Sequence, residues 1–257
     1  MRRALIVLAI LIIATAAGAA VFVAASPSPE FADGFDAANI SEERWQIDAA
    51  ERCVMLPDNE HVRDGPRALK IVAPTGKRCE VVPRTRSSAL SMFVREPFDE
   101  ERWYRVSVFV DDLGNPEFSD DLGDNTIVLQ WHSSPDRLPQ KEGGRGPPLA
   151  LRIHNNRWGI TYGADPNLKS ERRIIANKWH FIGPVETGRW IDWTFRVVWS
   201  YQDNGLTEVW MDDDMVFQHR GANAYNDFRG VYLKLGIYHP VAKQTIYIDR
   251  VSISNGG

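Results

Sequence analysis

Short runs of β-branched and aromatic residues, each bounded by glycine, proline, asparagine or aspartate, recur along almost the whole chain. Runs of this composition and length are typical of β-strands, and helical spacing of apolar residues is nearly absent beyond the N-terminus. Many short strands at such intervals favour an antiparallel sandwich. The pattern predicts strands at residues 102–110, 126–132, 149–154, 158–162, 190–199, 207–211, 215–219, 231–238 and 245–253.

Two connections between these strands are predicted as tight hairpin turns. Residues 155–156 are two asparagines, and residues 212–214 are three aspartates. Both residue types tolerate the backbone geometry that such turns require. Longer loops, of a length often found in binding loops, are predicted at residues 111–125, 133–148 and 163–178.

The N-terminus has the composition of a targeting segment. Two arginines follow the initiator methionine and precede a long apolar run, and a Ser-Pro linker spans residues 26–30. This order predicts a secretory signal peptide over residues 1–25. The run is also nearly long enough to span a bilayer, so an uncleaved N-terminal membrane anchor is the alternative. Either way, residues 31–257 are predicted to form a single domain outside the cytoplasm, secreted or periplasmic.

The chain has two cysteines and a formal net charge of −4. The cysteines bear on the cellular compartment, and the charge bears on the kind of binding partner. In an oxidising compartment Cys53 and Cys79 are expected to form one disulfide, and two free buried thiols are the alternative. Closing a loop of about 25 residues stabilises a fold by roughly 3 kcal/mol. The acidic balance is not that of a nucleic-acid-binding protein. We therefore expect no nucleic-acid partner, and a monomer that meets a membrane only through an uncleaved N-terminal segment.

One late segment, YLKLGIY at residues 232–238, alternates polar and aliphatic side chains. A strand sends alternate side chains to opposite faces, so Tyr232, Lys234 and Tyr238 are predicted to share one face. Gly236 is predicted to leave that face open where a ligand approaches the backbone. Two phenols and an ammonium around a gap form a candidate site for an anionic substrate. An ordinary half-exposed strand with snorkelling side chains is the alternative.

Two further segments show the same alternation. Gln130 and His132 share a face of one predicted strand, where a neutral imidazole can accept a proton beside a carboxamide. Arg78 and Glu80 share a face of another, with Arg84 in phase. An arginine can hold a carboxylate with two parallel hydrogen bonds, and a glutamate can orient that arginine. The structural alternatives are a histidine satisfied within the sheet and a charged strand edge.

Together these segments resemble the jelly-roll polysaccharide lyases that cleave uronic acid polymers. Those enzymes carry, in order, an Arg-x-Glu, a Gln-x-His and a Tyr-x-Lys-x-Gly-x-Tyr strand. This chain has RCE at 78–80, QWH at 130–132 and YLKLGIY at 232–238. The flanking sequence is similar to the branch containing heparin lyase I and glucuronan lyase, itself related to alginate lyases. The resemblance covers most of the chain and implies an all-β, antiparallel β-sandwich of the jelly-roll, concanavalin-like kind.

The resemblance implies β-elimination at a uronate, with a matching residue for each role. Gln130 and Arg78 would neutralise the carboxylate, which lets charge delocalise onto it as the C5–H bond breaks. Tyr238 would protonate the departing O4, and His132 would act as base or contact the carboxylate. Lys234 would lower the pKa of the Tyr238 phenol through its positive charge. In a D-glucuronate unit H5 and O4 lie on the same side, so Tyr238 could be both base and acid.

Other residues are predicted to bind substrate or an ion. The predicted substrate-binding set is Glu80, Arg84, Tyr232, Arg152, His154 and Trp158. Trp158 and Trp179 adjoin predicted binding loops and are candidates to stack on sugar rings, with packed core aromatics as the alternative. Because some relatives hold calcium near this region, Asn226 and Asp227 are candidate ligands for a structural Ca²⁺. A solvated turn is the alternative, and no cofactor is expected to be required for the chemistry.

Two departures from the lyase pattern bear on the substrate. Related alginate lyases have glutamine two residues after the last tyrosine, whereas His239 and Pro240 follow here. Cys79 occupies the middle of the Arg-x-Glu strand, and the closely following second arginine is missing. We therefore expect an acidic, glucuronan-like or glycosaminoglycan-like polysaccharide as the substrate. A non-catalytic carbohydrate-binding module on the same sandwich is the alternative function.

Overall fold

A computed structural model describes residues 30–84, 96–135, 145–169 and 175–256, without the side chains of 175–177. Fifteen strands form in this part of the chain. They are β1 Phe31–Asp33, β2 Trp45–Ala49, β3 Val54–Asp58, β4 Ala68–Ala73, β5 Arg78–Pro83, β6 Glu101–Asp112, β7 Thr126–His132, β8 Leu149–His154, β9 Arg157–Ala164, β10 Ile175–Pro184, β11 Trp190–Val198, β12 Leu206–Met211, β13 Asp214–Arg220, β14 Tyr232–Tyr238 and β15 Gln244–Ser254.

The strands form two antiparallel sheets that pack as a sandwich. One sheet has eight strands in the order β13-β12-β11-β6-β15-β4-β3, with β1 beside β15. The other has seven strands in the order β10-β9-β8-β7-β14-β5-β2. The predicted all-β antiparallel sandwich is confirmed. The segment predicted as signal peptide or anchor lies outside the described residues, and within those residues no helix has the length and apolarity to cross a membrane.

Strict alternation along the strands builds the core between the sheets. In β11 every second side chain is buried, and Trp193 and Phe195 are fully so. Trp131 comes from β7 in the facing sheet, and its ring centroid lies 4.7 Å from that of Phe195. Burying such aromatic area is the main favourable term in folding, at about 25 cal/mol per Å² of apolar surface. The same alternation leaves the outer phase of each strand available for polar side chains.

The turns that were predicted from sequence have the expected backbone. Asn155 and Asn156 join β8 to β9 with φ angles of 49° and 57°, and Asp212 joins β12 to β13 with a φ of 56°. Positive φ at these positions matches the twist of a hairpin turn, which asparagine and aspartate adopt at low cost. The loop predicted at residues 163–178 is wrong in its last part, because β10 begins at Ile175.

Cys53 and Cys79 form the predicted disulfide. Cys79 lies on β5 with its side chain in the core, between Arg78 and Glu80 on the opposite face. Cys53 directly precedes β3, which is the edge strand of the other sheet. The bond therefore ties the strand that carries two predicted site residues to the facing sheet.

Candidate active site

The candidate site lies where β7, β14, β5 and β2 run side by side. Lys234 of β14 is opposite Gln130 of β7, and Gly236 of β14 is opposite Glu80 of β5. Glu80 is in turn opposite Asp48 of β2. Residues directly opposite each other point to the same face of a sheet. The polar side chains therefore gather on the side of this sheet that faces away from the core.

Glu80 is at the centre of a network of charges. Its carboxylate accepts a hydrogen bond from the Gln130 amide. The same carboxylate lies 3.3 Å from Nε of Arg78 and 3.8 Å from Nζ of Lys234. Asp48 holds the same two cations, at 2.7 Å from Lys234 and 3.2 Å from Arg78. Two carboxylates thus fix two cations, and one of the carboxylates also orients the amide.

Burial and charge act in opposite directions on these groups. Glu80 is only 1% exposed, and this desolvation raises its pKa although Lys234, Gln130 and Arg78 oppose the shift. Asp48 is also partly desolvated, but the hydrogen bond and charge of Lys234, with Arg78, hold its pKa below the usual value. The charges of Glu80 and Asp48 raise the pKa of Arg78 against the effect of burial. Arg78 therefore keeps the positive charge that recognition of a carboxylate requires.

Tyr238 lies beside Arg78, its partner across the ladder between β5 and β14. The guanidinium carbon is 4.3 Å from the centroid of the phenol ring. A cation over this face binds the ring and stabilises negative charge that develops on the phenolic oxygen during proton transfer. Lys234 was predicted as the electrostatic neighbour of Tyr238, but its ammonium is bound to Asp48. Its effect on the phenol stays a prediction.

His132 is neutral in its surroundings and has a defined tautomer. Its Nδ1 lies 2.6 Å from the carbonyl oxygen of Ser133 and 3.5 Å from the hydroxyl of Tyr232. A carbonyl can only accept, so we assign the proton to Nδ1, which leaves Nε2 as an acceptor. Burial, and secondly the charge of Lys234, lower the pKa of His132 to about 4. The imidazole is therefore uncharged near neutral pH.

The register separates His132 from Tyr238. His132 is opposite Tyr232, at the far end of β14, and Lys234 lies between the two tyrosines. Six residues of extended strand span roughly 20 Å between backbone positions. The side chains reach back towards each other, because the charge of Arg78, which contacts the Tyr238 ring, also acts on His132.

Gly236 is required by the backbone. Its φ is 140°, in a region that other residues rarely adopt. A Cβ atom at this position would lie 2.2 Å from the carbonyl oxygen of Cys79 and 2.9 Å from Cα of Glu80. The ladder between β14 and β7 also shifts register here, as at a β-bulge. The close approach of β5 therefore accounts for this glycine, rather than the predicted gap for a ligand.

Three more of the predicted substrate-binding residues border this face. Arg152 and His154 are on β8, in phase with each other. Nε of Arg152 donates to the hydroxyl of Thr161 at 2.6 Å, and Nδ1 of His154 is 2.9 Å from the carbonyl oxygen of Asp124. Arg84 follows β5 directly and is half-buried. The substrate contacts of all three stay predictions.

Trp158 does not point to the polar face of the sheet. Its side chain is fully buried and meets Trp193 edge to face, with ring centroids 5.2 Å apart. The prediction of Trp158 as a substrate contact is wrong, because it has the phase of Ile160, which points into the core. Trp179, the second candidate for stacking, is half-buried and opposite Thr161, which shares the outer phase of β9 with Gly159.

The predicted calcium ligands lie beyond the His132 end of the face. Asp227 forms an ion pair with Arg145, and the Asn226 amide donates to a backbone carbonyl at 2.9 Å. Asp165 is fully buried beside Asn226, and its Oδ2 has no hydrogen-bond partner among the described residues. The described part of the chain holds no cluster of three or more His, Cys, Asp or Glu residues that could hold a metal ion. Oxygen donors suit Ca²⁺, but Arg145 already neutralises Asp227, so the residues fit calcium only in part.

A groove lies on the outer face of the other, eight-stranded sheet. Its volume is about 890 Å³, and its lining includes Arg63, Asp192, Arg189 and Asp212. These charges are paired, with Arg63 at 2.8 Å from Asp192 and Arg189 at 2.9 Å from Asp212. The described lining of this groove includes none of the predicted catalytic residues. We therefore place the candidate site on the seven-stranded sheet.

A jelly-roll sandwich with a phenol, a guanidinium and a carboxamide on the outer face of one sheet suits an enzyme that acts on polysaccharides. The family model described as polysaccharide lyase matches residues 43–252 of this chain. The chain belongs to the polysaccharide lyase family, as its sequence motifs indicate.

Solved structures share the fold over nearly the whole described chain. An endo-β-1,4-glucuronan lyase from the fungus Trichoderma reesei has a TM-score of 0.69 and 17% identity, covering 89% of this chain and 96% of that chain. Cellulose-induced protein Cip1 has a TM-score of 0.57 and 13% identity, with coverages of 88% and 97%. Alginate lyase A1-II′, of polysaccharide lyase family 7, has a TM-score of 0.51 and 14% identity, with coverages of 84% and 96%. At these identities the likeness establishes the fold alone. A comparison with curated proteins finds no match.

Proposed function

We propose that this polysaccharide lyase cleaves a glucuronan-like or glycosaminoglycan-like chain by β-elimination at a uronate. The observation that carries the proposal is the arrangement of Arg78, Glu80, Gln130 and Lys234 beside Tyr238 on the outer face of the seven-stranded sheet. A fixed cation and an oriented amide suit a carboxylate, and the adjacent phenol suits proton transfer.

In the proposed reaction, Arg78 and Gln130 first neutralise the uronate carboxylate. The C5 proton is hardly acidic while that carboxylate keeps its full charge, because the electrons of the C5–H bond must delocalise onto it. Tyr238, as the phenolate, takes the C5 proton. The electron pair forms the C4–C5 double bond, the C4–O4 bond breaks, and O4 receives the proton from Tyr238, which restores the phenolate.

We assign both proton transfers to Tyr238, which limits the substrate to units with H5 and O4 on one side, such as D-glucuronate. An L-configured uronate presents H5 and O4 on opposite faces and needs a second base. Nε2 of His132 has the acceptor character of a base. We propose that His132 contacts the carboxylate region of a D-configured unit and would serve as the second base on an L-configured one.

The test is ultraviolet absorbance of the unsaturated uronate product, measured on glucuronan, alginate, heparin and hyaluronan. We expect product from glucuronan or a related β-linked glucuronate polymer. No new absorbance on any of the four polymers would contradict the proposal. Saturable binding without product would instead indicate the alternative, a carbohydrate-binding module that does not catalyse.

We further propose that the protein works outside the cytoplasm as a monomer, with an acidic polysaccharide and no nucleic acid as its partner. The disulfide between Cys53 and Cys79 supports an oxidising compartment. Mass spectrometry of the exported protein distinguishes removal of residues 1–25 from retention as a membrane anchor. Recovery of the protein only from the cytoplasm would contradict the proposed location.

The low pKa of His132 predicts how the side chain titrates. Its folded pKa of about 4 is below the ordinary value of 6.5, so the folded protein binds fewer protons than the unfolded chain between these values. The contribution of His132 to the free energy of unfolding therefore rises with pH between about 4 and 6.5. That contribution is lost as the pH falls towards 4. We expect the imidazole nitrogen NMR signals of His132 to titrate near pH 4. Titration of His132 near pH 6.5 would contradict the assignment of a buried, neutral imidazole.

We propose a structural Ca²⁺ site near Asp165 and Asn226. A ligand that binds only the folded state raises the free energy of unfolding, by roughly 2.7 kcal/mol at a concentration of 100 times Kd. We expect millimolar Ca²⁺ to raise the melting temperature of the wild-type protein and not that of Asp165→Asn. Turnover with excess chelator at a temperature well below melting should persist. An equal shift in both proteins would exclude Asp165 as a ligand.

A further inference from the structure

A row of residues crosses the seven-stranded sheet from Tyr238 in the direction away from β5. Tyr238 is opposite Ile127 of β7, and Ile127 is opposite Arg152 of β8. Arg152 is in turn opposite Gly159 of β9. Neighbouring strands lie about 4.8 Å apart, so Arg152 is roughly 10 Å from Tyr238 across the sheet. The polar face therefore continues past the candidate site towards β10.

Trp179 of β10 lies on the backbone of Gly159. A Cβ atom at Gly159 would be 3.0 Å from both Cε3 and Cζ3 of the indole. Glycine inside a strand usually weakens it, but here the missing side chain lets the indole pack onto β9. The Phe181 ring lies nearly parallel to the indole, with an interplanar angle of 21° and centroids 5.3 Å apart. The half-buried indole therefore packs on Gly159 and beside Phe181, and these contacts fix it as an aromatic platform.

Arg152 is held next to this platform in a fixed direction. Its Nε donates to Thr161 at 2.6 Å, and its Nη1 donates to the side-chain oxygen of Asn125 at 2.7 Å. Its guanidinium carbon is 5.8 Å from the Trp179 ring centroid. A cavity of about 440 Å³ opens beside them, lined by Leu122, Gly123, Asn125, Arg152 and Trp179. The cavity therefore combines an aromatic surface with a nearly buried cation.

We infer that this cavity is a subsite for an acidic sugar unit of the polymer, two strands away from the unit that is cleaved. The Trp179 platform stacks on the apolar face of the sugar ring, and Arg152 contacts its carboxylate. Aromatic surface alone would accept any sugar, whereas a guanidinium selects a carboxylate. The subsite rests on the proposed function for the class of polymer, but its occupancy does not depend on turnover.

The test measures binding of two polymers by titration calorimetry in a Tyr238→Phe background, which prevents cleavage. One polymer is glucuronan and the other is its carboxyl-reduced form, which has the same linkage without the charge. We expect Trp179→Ala to weaken binding of both polymers about tenfold, and Trp179→Phe to retain most of the affinity. We expect Arg152→Gln to weaken binding of glucuronan about tenfold and to leave binding of the reduced polymer nearly unchanged.

Trp210→Ala is the matched control, because Trp210 is a half-buried tryptophan on the outer face of the other sheet, stacked on Trp103. It should leave the affinity for both polymers unchanged. Wild-type affinity in Trp179→Ala, or an equal loss for both polymers in Arg152→Gln, would overturn the subsite. If wild-type protein forms no unsaturated product but both variants bind glucuronan weakly, the proposed reaction fails and the subsite stands. No binding of either polymer by the parent Tyr238→Phe protein would overturn the subsite as well.

Discussion

Tyr238→Phe is expected to lower kcat on the cleaved uronan by about 10³-fold or more, while the affinity for the polymer stays nearly unchanged. The hydroxyl is assigned both proton transfers, and general acid–base groups typically contribute 10²- to 10⁴-fold each. The ring itself remains, so the contact with the Arg78 guanidinium at 4.3 Å is kept. Arg78 and Gln130 can then still hold the carboxylate. Initial rates of product absorbance, with calorimetric binding of the same polymer, separate the two effects.

Tyr201→Phe is the control for loss of a phenolic hydroxyl. Tyr201 follows β11 and packs edge to face on Phe98. Neither residue belongs to the polar face. This variant should turn over at the wild-type rate. Unchanged turnover in Tyr238→Phe would exclude Tyr238 as acid and base. Equal losses of rate and affinity would assign the hydroxyl to substrate binding instead.

Much of the fold could be predicted, because interior strands have one face in the core and one outside. All nine predicted strands are present, and those at 126–132 and 149–154 have the observed bounds. The strands that were missed include β2 and β3, each at the edge of a sheet. Val54 and Leu56 of β3 are about two-fifths exposed, so the apolar phase of that strand does not coincide with burial. β2 pairs with β5, about thirty residues further along the chain, and local alternation does not reveal such a pairing.

The candidate site was predicted only where its residues lie in recognisable strands. Asp48 was missed, although it binds Lys234 and Arg78, because β2 was not recognised and Lys234 is 186 residues away. Arg145 falls inside the loop predicted at residues 133–148, and the sequence does not reveal that it pairs with Asp227. The error at Trp158 was avoidable, since aliphatic Ile160 has the same phase.

Gly236→Ala is expected to destabilise the fold by about 3 kcal/mol or more. The added Cβ meets the backbone of β5 at 2.2 Å, and backbone cannot move aside as a flexible side chain can. Overpacking of this kind costs about 1–3 kcal/mol, and a φ of 140° in a non-glycine residue costs a similar amount. This clash is relieved only if β14 moves away from β5, and that movement separates Tyr238 from Arg78. Chemical denaturation measures the loss of stability, and turnover should fall with it.

Gly183→Ala is the matched control, because it makes the same substitution within β10 of the same sheet. A Cβ at Gly183 meets no atom within 4 Å, so its stability should stay near that of the wild-type protein. The pair of variants also decides between the two explanations of Gly236. If the glycine were there to leave room for a sugar, Gly236→Ala would be as stable as Gly183→Ala and would differ only in a raised KM. A large loss of stability before any substrate is added assigns Gly236 to the β5–β14 contact, on which the placement of Arg78 beside Tyr238 depends.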